Sequence, residues 1–104
     1  KLDSDSVRMT AKQISYVSLN TTAVANSISG TNTAVFNGKT IATPPTGFTL
    51  GQEGFAVYVN NTYIPNSQRT VSQVSSNINI VFVTNEMGYT LNSDDEVVVT
   101  GKFS

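Results

Sequence analysis

Three segments in the second half of the chain place apolar side chains at every second residue: 55–59, 78–83 and 96–103. Successive side chains of a β-strand point to opposite faces, so this spacing predicts three strands that each bury one face. Segment 78–83 is also apolar at Val81 and Val83, which predicts a central strand. The side chains predicted to face the core are those of Phe48, Phe55, Val57, Ile80, Phe82, Val97 and Val99.

Turn-forming residues separate these strands. The Asn-Asn pair at 60–61 predicts a tight hairpin turn with positive φ angles, and the return strand at 62–64 stops at Pro65. A weaker strand is predicted at 70–75, and residues 92–95 form a polar turn.

The first half of the chain is less regular. Strands are predicted at 12–19 and 22–28. Asn-Gly at 37–38 favours a two-residue hairpin turn that joins residues 34–36 to a return strand at 39–42.

A proline-rich segment at 43–47 marks the joint between the two halves, because its two prolines remove backbone donors and fix φ. We divide the single domain into 1–46, an N-terminal arm with the first hairpin, and 47–104, the C-terminal half of the same sandwich. Gly101, inside the last strand, predicts either a bulge or a close approach by another backbone.

The predicted fold class is therefore all-β: a single antiparallel β-sandwich, jelly-roll or immunoglobulin-like, with an N-terminal strand-rich arm. Composition agrees, since only 12% of the 104 residues are charged and the polar share is carried by Ser, Thr, Asn and Gln. Thr suits strands, and Ser and Asn suit turns.

The chain contains no His and no Cys. These residues supply the commonest general base, the commonest thiol nucleophile and most zinc, copper and haem ligands. A Ser–Lys pair would have to use Lys12, predicted to precede a strand, or Lys39, or Lys102, predicted to lie on an exposed strand face. No S-x-x-K motif singles out any of them, so we predict a non-enzymatic protein without catalytic residues, cofactor or metal.

Charge and hydropathy exclude two partner classes. The net charge is −1 and the six Lys and Arg residues are scattered, whereas nucleic-acid binding needs clustered cations. The longest apolar run, residues 80–83, is far too short to span a membrane. No signal peptide is visible, and a chain that begins at Lys1 is expected to be a processed or trimmed product.

Asp94, Asp95 and Glu96 form an acidic cluster. A calcium site would need six to eight oxygens, of which this cluster supplies two or three. The favoured interpretation is a solvated turn before the last strand, in which Asp serves as a turn former.

The four tyrosines offer a second candidate site. Tyr58, Tyr63 and Tyr89, with Tyr16, are candidates for a partner-binding or glycan-binding surface, since each ring has a flat apolar face and a polar tip. Tyr58 is predicted to point away from Phe55, on the face opposite the core. The alternative, which we favour at this point, is that Tyr58 packs under a loop.

Residues 47–104 contain, in this order, the segments Gly47-Phe48-Thr49-Leu50, Ala56-Val57-Tyr58-Val59-Asn60, Tyr63-Ile64-Pro65, Thr70-Val71-Ser72, Ile78-Asn79-Ile80-Val81-Phe82 and Asp94-Asp95-Glu96-Val97-Val98-Val99. These segments resemble a module of tail-fibre and other virion structural proteins of tailed phages, including marine myophages. In that module a "YVNG" turn, a Pro, and "Y/T-V-S", "I-x-F" and "S-D-E-V-x-V" strands follow in this order. The opening residues 2–8 are similar to linker sequences in the same fibres.

The resemblance implies a β-sandwich used for assembly or host attachment, often as a homotrimer, with no catalytic residues. Asn61 stands where the family usually has Gly, which affects the turn type but not the hairpin. The function expected is that of a phage virion structural or appendage module of the tail-fibre, neck or capsid-decoration type, on the particle surface. Its expected partners are other virion proteins and a host-surface glycan.

Two other functions stay open. A bacterial surface adhesin or carbohydrate-binding module has a similar sandwich, and tandem copies with an export signal would favour it. An enzyme fragment is the third, and the missing His and Cys weigh against it.

Overall fold

The computed structural model of the chain describes residues 11–104, and the side chains of residues 13–104. The linker-like residues 2–8 lie outside the described residues. The described chain forms helix α1 (Ala11–Ser18), strands β1 (Thr21–Val24), β2 (Ser27–Ser29), β3 (Thr33–Phe36), β4 (Ala56–Val59), β5 (Thr62–Ile64), β6 (Arg69–Val74) and β7 (Asn77–Phe82), helix α2 (Thr84–Met87) and strand β8 (Val97–Gly101). Single 3-10 turns at Gln52–Gly54 and Asn66–Gln68 precede β4 and β6.

The strands form two four-stranded antiparallel sheets. Sheet A has the order β1-β8-β4-β5, and sheet B has the order β2-β3-β7-β6. The predicted all-β antiparallel sandwich is confirmed. The prediction that 78–83 is a central strand is also confirmed, because β7 is paired on both sides.

The strand order is that of an immunoglobulin-type sandwich with one difference. Strands β2, β3, β7 and β6 take the places of strands A, B, E and D, and β5, β4 and β8 take those of C′, C and F. The place of the last strand, G, is taken by β1, the first strand of the described chain. The N-terminal half is thus part of both sheets.

The core lies between the inner faces of the two sheets. The phases predicted for 55–59, 78–83 and 96–103 are confirmed, since residues 55, 57, 59, 78, 80, 82, 97, 99 and 103 are all buried. Phe48 is an exception. It is half-buried and outside this cluster, and its ring packs edge-to-face on Tyr16 with centroids 5.6 Å apart.

Two tight hairpin turns set the register of the edge strands β5 and β6. Asn60 and Asn61 have φ angles of 49° and 69°, so the predicted turn between β4 and β5 is confirmed. A second turn, between β6 and β7, has Ser75 at φ 54° and was not predicted.

Helix α1 corrects the strand predicted at 12–19. Lys102 Nζ donates to the carbonyl oxygens of Tyr16, Val17 and Leu19 at 3.0, 3.1 and 3.2 Å, which satisfies acceptors that a helix C-terminus leaves unpaired. The ammonium also lies 5.0 Å from the centre of the Tyr16 ring. The expectations that Lys12 precedes a strand and that Lys102 lies on an exposed strand face were therefore wrong: Lys12 is in α1, and Lys102 is half-buried.

The hairpin predicted around Asn37-Gly38 does not form. The turn is present, with Gly38 at φ 71°, but residues 39–42 do not return along β3. Strand β3 pairs with β2 and β7, and Ile41 instead bridges Phe103 at the end of the chain. The strand predicted at 22–28 is two strands, β1 and β2, in different sheets.

Arg69 is a buried cation that joins β6 to the turn before β4. Its side chain is 2% exposed, and its Nη atoms donate to the carbonyl oxygens of Gln52 and Phe55 and to Gln52 Oε1. Burial lowers the pKa of Arg69, although an arginine stays charged at neutral pH. Gln52 also bonds both main-chain groups of Val71, with Val71 N to Oε1 at 2.8 Å and Nε2 to Val71 O at 2.9 Å.

Gly101 is required by a close approach, but of a side chain and not of another backbone. A Cβ at this position would overlap the ring of Phe55, which stacks on Phe103 with centroids 5.6 Å apart. The inner face of β8 therefore has no room for a larger residue at this point.

The alternation in β7 gives a direct test of the fold. Phe82→Asp places a carboxylate at a site that is 2% exposed, whereas Val81→Asp places the same group on the outer face of the same strand, at a site that is 40% exposed. We expect Phe82→Asp to unfold the domain, since an unpaired buried charge costs about 3–5 kcal/mol, comparable to the stability of a small domain. Val81→Asp is expected to melt cooperatively near the unmodified protein by circular dichroism. A folded Phe82→Asp protein would contradict the strand phase.

Candidate contact surface

No pocket is present in the part of the chain that the structure describes.

The outer face of sheet A carries one row of apolar and aromatic side chains across all four strands. Val24 pairs with Val98, Val98 with Tyr58, and Tyr58 with Tyr63. We call these four residues the outer row. Three of them are exposed: Val24 by 55%, Tyr58 by 37% and Tyr63 by 54%. Val98, in the middle, is half-buried.

The two tyrosines of the outer row contact each other. Their ring centroids are 5.8 Å apart and the ring planes make an angle of 66°, an edge-to-face pair. The contact fixes both rings on a hairpin whose turn is already tight, so little conformational freedom is lost when a partner covers them. Because the rings are not coplanar, a flat ligand would stack on one ring at a time.

The outer row is bordered on one side by uncharged polar groups. On the other side it is bordered by the turn that contains Asp94, Asp95 and Glu96, which we call the acidic turn. The neighbouring cross-strand row is Thr22, Thr100 and Ala56, in which the two hydroxyl oxygens are hydrogen-bonded at 2.8 Å. Beyond the other side, Asn60 N donates to Glu96 O at 2.8 Å, and Glu96 N donates to Asn60 Oδ1 at 2.9 Å.

The outer face of sheet B has a different chemistry. Its cross-strand rows contain at most one apolar side chain each, and hydroxyl and amide groups fill the remaining places. The rows are Ser29, Thr33, Val81 and Thr70; then Ser27, Val35, Asn79 and Ser72; then Asn77 and Val74. Only sheet A therefore combines aromatic and aliphatic groups in one continuous outer surface within residues 11–104.

The structure brings together two of the three tyrosines proposed from the sequence. Tyr89 is 43% exposed but lies in the connection from β7 to β8, close in sequence to Leu91, whose N–H donates to Thr31 O in the β2–β3 turn. Tyr16 is buried under Phe48 and Lys102 and offers no open surface. Tyr58 lies on the outer face of sheet A, so the expectation that it packs under a loop was wrong.

Sequence reasoning missed Val24 as a member of this surface. Val98 was placed on the outer side of its strand by the alternation around Val97 and Val99, which the structure confirms. Val24 had no such signal, because its predicted strand continued through 28, whereas β1 ends at Val24 and the chain then crosses to sheet B.

The acidic turn is organised by hydrogen bonds within the protein. Asp95 Oδ2 accepts from Asn92 N at 2.8 Å and Asp95 Oδ1 accepts from Asn60 Nδ2 at 3.0 Å. These two hydrogen bonds lower the pKa of Asp95 below its ordinary value, and the bond from Asn92 has the larger effect. Within residues 11–104 no three acidic side chains come together as a metal-binding group.

A scan against protein-family models and searches of curated proteins and of solved structures found no match to this chain. Separately, none of the helices between residues 11 and 104 has the length and hydropathy needed to cross a membrane.

The hydrogen bonds of Asp95 predict a pH-dependent contribution to stability. Because the pKa of Asp95 is lower in the folded than in the unfolded state, the contribution is present above the unfolded value, about 3.9, and is lost as the pH falls through the folded value. Asp95→Asn is expected to lower the free energy of unfolding at neutral pH by up to about 1 kcal/mol, a modest effect for a solvent-screened group. Urea unfolding across acidic pH is expected to show this difference shrinking as Asp95 becomes protonated.

Asp94→Asn is the control, because the Asp94 side chain is exposed and makes no hydrogen bond within the described residues. Its stability should match that of the unmodified protein throughout. A difference for Asp95→Asn that stays constant from neutral to strongly acidic pH would contradict a role for the carboxylate charge.

Proposed function

We propose that the chain is a non-enzymatic structural module of a tailed-phage virion, exposed on the particle, which contacts neighbouring virion proteins or the host surface through the outer row. The observation that carries the proposal is the row itself: Val24, Val98, Tyr58 and Tyr63 form an uncharged surface across a whole sheet. Tyrosine is enriched at the centres of protein interfaces, and exposed rings on a rigid hairpin are typical anchors.

The scarcity of charge supports an assembled state. Only 12% of the chain is charged, and within residues 11–104 no strand carries a charged side chain on the outer face of either sheet. In soluble globular domains about 25% of all residues are commonly charged. The resemblance of residues 47–104 to virion modules is what selects a phage among the possible assemblies, and it leaves tail fibre, neck and capsid decoration as alternatives.

Glycan binding by a surface adhesin is the second candidate, and Tyr63 is the observation that favours it. Its ring is 54% exposed at the edge of sheet A, where a sugar ring can stack on it without entering a pocket. In this case the ligand would use Tyr63, with Tyr58 supporting the ring from its edge.

Immunogold electron microscopy separates the two candidates. Antibodies against the purified domain are expected to label the surface of phage particles produced from the genome that encodes the chain. Labelling of a bacterial envelope with no labelling of particles would contradict the virion proposal and support the adhesin.

A matched pair of variants tests the outer row. Tyr58→Thr with Tyr63→Thr removes both rings and replaces them with β-branched side chains, which suit strands. Tyr89→Thr removes a ring outside the row whose exposure, 43%, lies between those of Tyr58 and Tyr63. When each variant is supplied in trans to particles that lack the chain, we expect the double variant to be incorporated about tenfold less or worse, or to give particles that attach to host cells equally poorly. The reason is that truncating a tyrosine at an interface hot spot costs about 2 kcal/mol or more. Equal loss with Tyr89→Thr would contradict a specific role for the row.

A further inference from the structure

The edge of β1 carries backbone groups with no partner among residues 11–104. Strands β1 and β8 are antiparallel, so every second residue of β1 forms hydrogen bonds to β8. Because Ala25 N donates to Val97 O, the residues of β1 that bond to β8 are Ala23 and Thr21. Thr22 and Val24 therefore direct their N–H and C=O groups away from the sheet. Such a row of free groups is a template for another strand.

The other strand edges of the sandwich are shorter or covered. Strand β5 has three residues and stops at Pro65, and β2 has three residues. On β6 the outward main-chain groups of Val71 are both taken by the side chain of Gln52. β1 has no charged residue or proline, and no side chain among residues 13–104 bonds its outward main-chain groups, although these are the usual protections of an edge.

The pattern of free groups on β1 is self-complementary. If two copies lie antiparallel about a two-fold axis at Ala23, Thr22 of each copy faces Val24 of the other. Each of the two facing pairs then exchanges two backbone hydrogen bonds, one in each direction. Thr and Val are both β-branched and suit paired strands, and with no charged residue on β1 no like charges meet.

We propose that β1 is a dimerisation edge, which pairs antiparallel with β1 of a second copy of this chain and joins the two A sheets into one. Val24, 55% exposed in the single chain, is covered by the partner strand. The outer rows of the two copies then lie on one continuous face, offset by two residues. The inference rests on the edge alone and does not depend on the proposed function.

A three-fold arrangement through this edge is disfavoured by the same geometry. In a trimer built by strand pairing, β1 of one copy would have to meet a different edge of the next copy. In sheet A that edge is β5, which has three residues and is followed directly by Pro65. The homotrimer that the family resemblance implies would have to use other contacts.

Solution mass and amide exchange, measured together from micromolar to millimolar concentration, test the proposal. Light scattering is expected to approach twice the chain mass as concentration rises, and the amide protons of Thr22 and Val24 are expected to gain protection over the same range. A monomer at all concentrations or a trimer would overturn the proposal. So would protection of these amides that is independent of concentration, which would mean that the chain's own residues cover the edge.

Three variants identify the edge as the cause. Thr22→Pro removes one outward donor, a change that an edge strand tolerates, and should weaken association at least tenfold. Thr22→Val is its control, because it loses the Thr100 hydroxyl bond but keeps the donor, and should still dimerise. If Thr22→Pro does not fold, Val24→Lys adds a charge on the exposed side of the same strand and should also weaken the dimer. A dimer unaffected by a folded Thr22→Pro or Val24→Lys would overturn the proposal.

Discussion

Strand β8 is the element on which the candidate contact surface depends, because it is hydrogen-bonded along both edges and alternates between two faces. β1 lies on one side of it and β4 on the other. Its inward residues Val97 and Val99 form part of the core. Its outward residue Val98 lies in the middle of the outer row, and Thr100 supplies one hydroxyl of the pair beside that row. At its end Lys102 bonds the last carbonyls of α1, which holds the N-terminal helix against the sandwich.

The parts of the fold that follow local rules were predictable from the sequence. The period of two fixed the buried faces around Phe55, Ile80 and Val99, and the Asn60-Asn61 pair identified its hairpin turn. The errors occurred where the deciding contact is distant in sequence. The segment 12–19 alternates like a strand, yet its helix is bonded by Lys102, 86 residues after Tyr16. Residues 39–42 follow a good hairpin turn, yet their partner is Phe103 at the end of the chain.

The candidate site was predicted only in part, for the same reason. Tyr58 and Tyr63 are joined by a two-residue turn, so their meeting on one face follows from the hairpin register. Val24 reaches the same surface only because β1 occupies the edge position beside β8, across most of the chain length. Tyr89 was grouped with the other tyrosines because of its residue type alone. It lies in the long connection between β7 and β8, and the sequence does not indicate which sheet such a connection lies against. The outer row and the β1 edge both belong to sheet A, and both are proposed as surfaces that contact another protein chain.

Hydroxyl-radical footprinting of the assembled particle, compared with the isolated domain, tests most directly whether the outer row is a contact surface. All four tyrosines are read in one experiment, with Tyr89 as the exposed reference and Tyr16 as the buried one. The account predicts that Tyr58 and Tyr63 lose reactivity in the particle while Tyr89 reacts equally in both samples. Unchanged reactivity of Tyr58 and Tyr63 in the particle would contradict it.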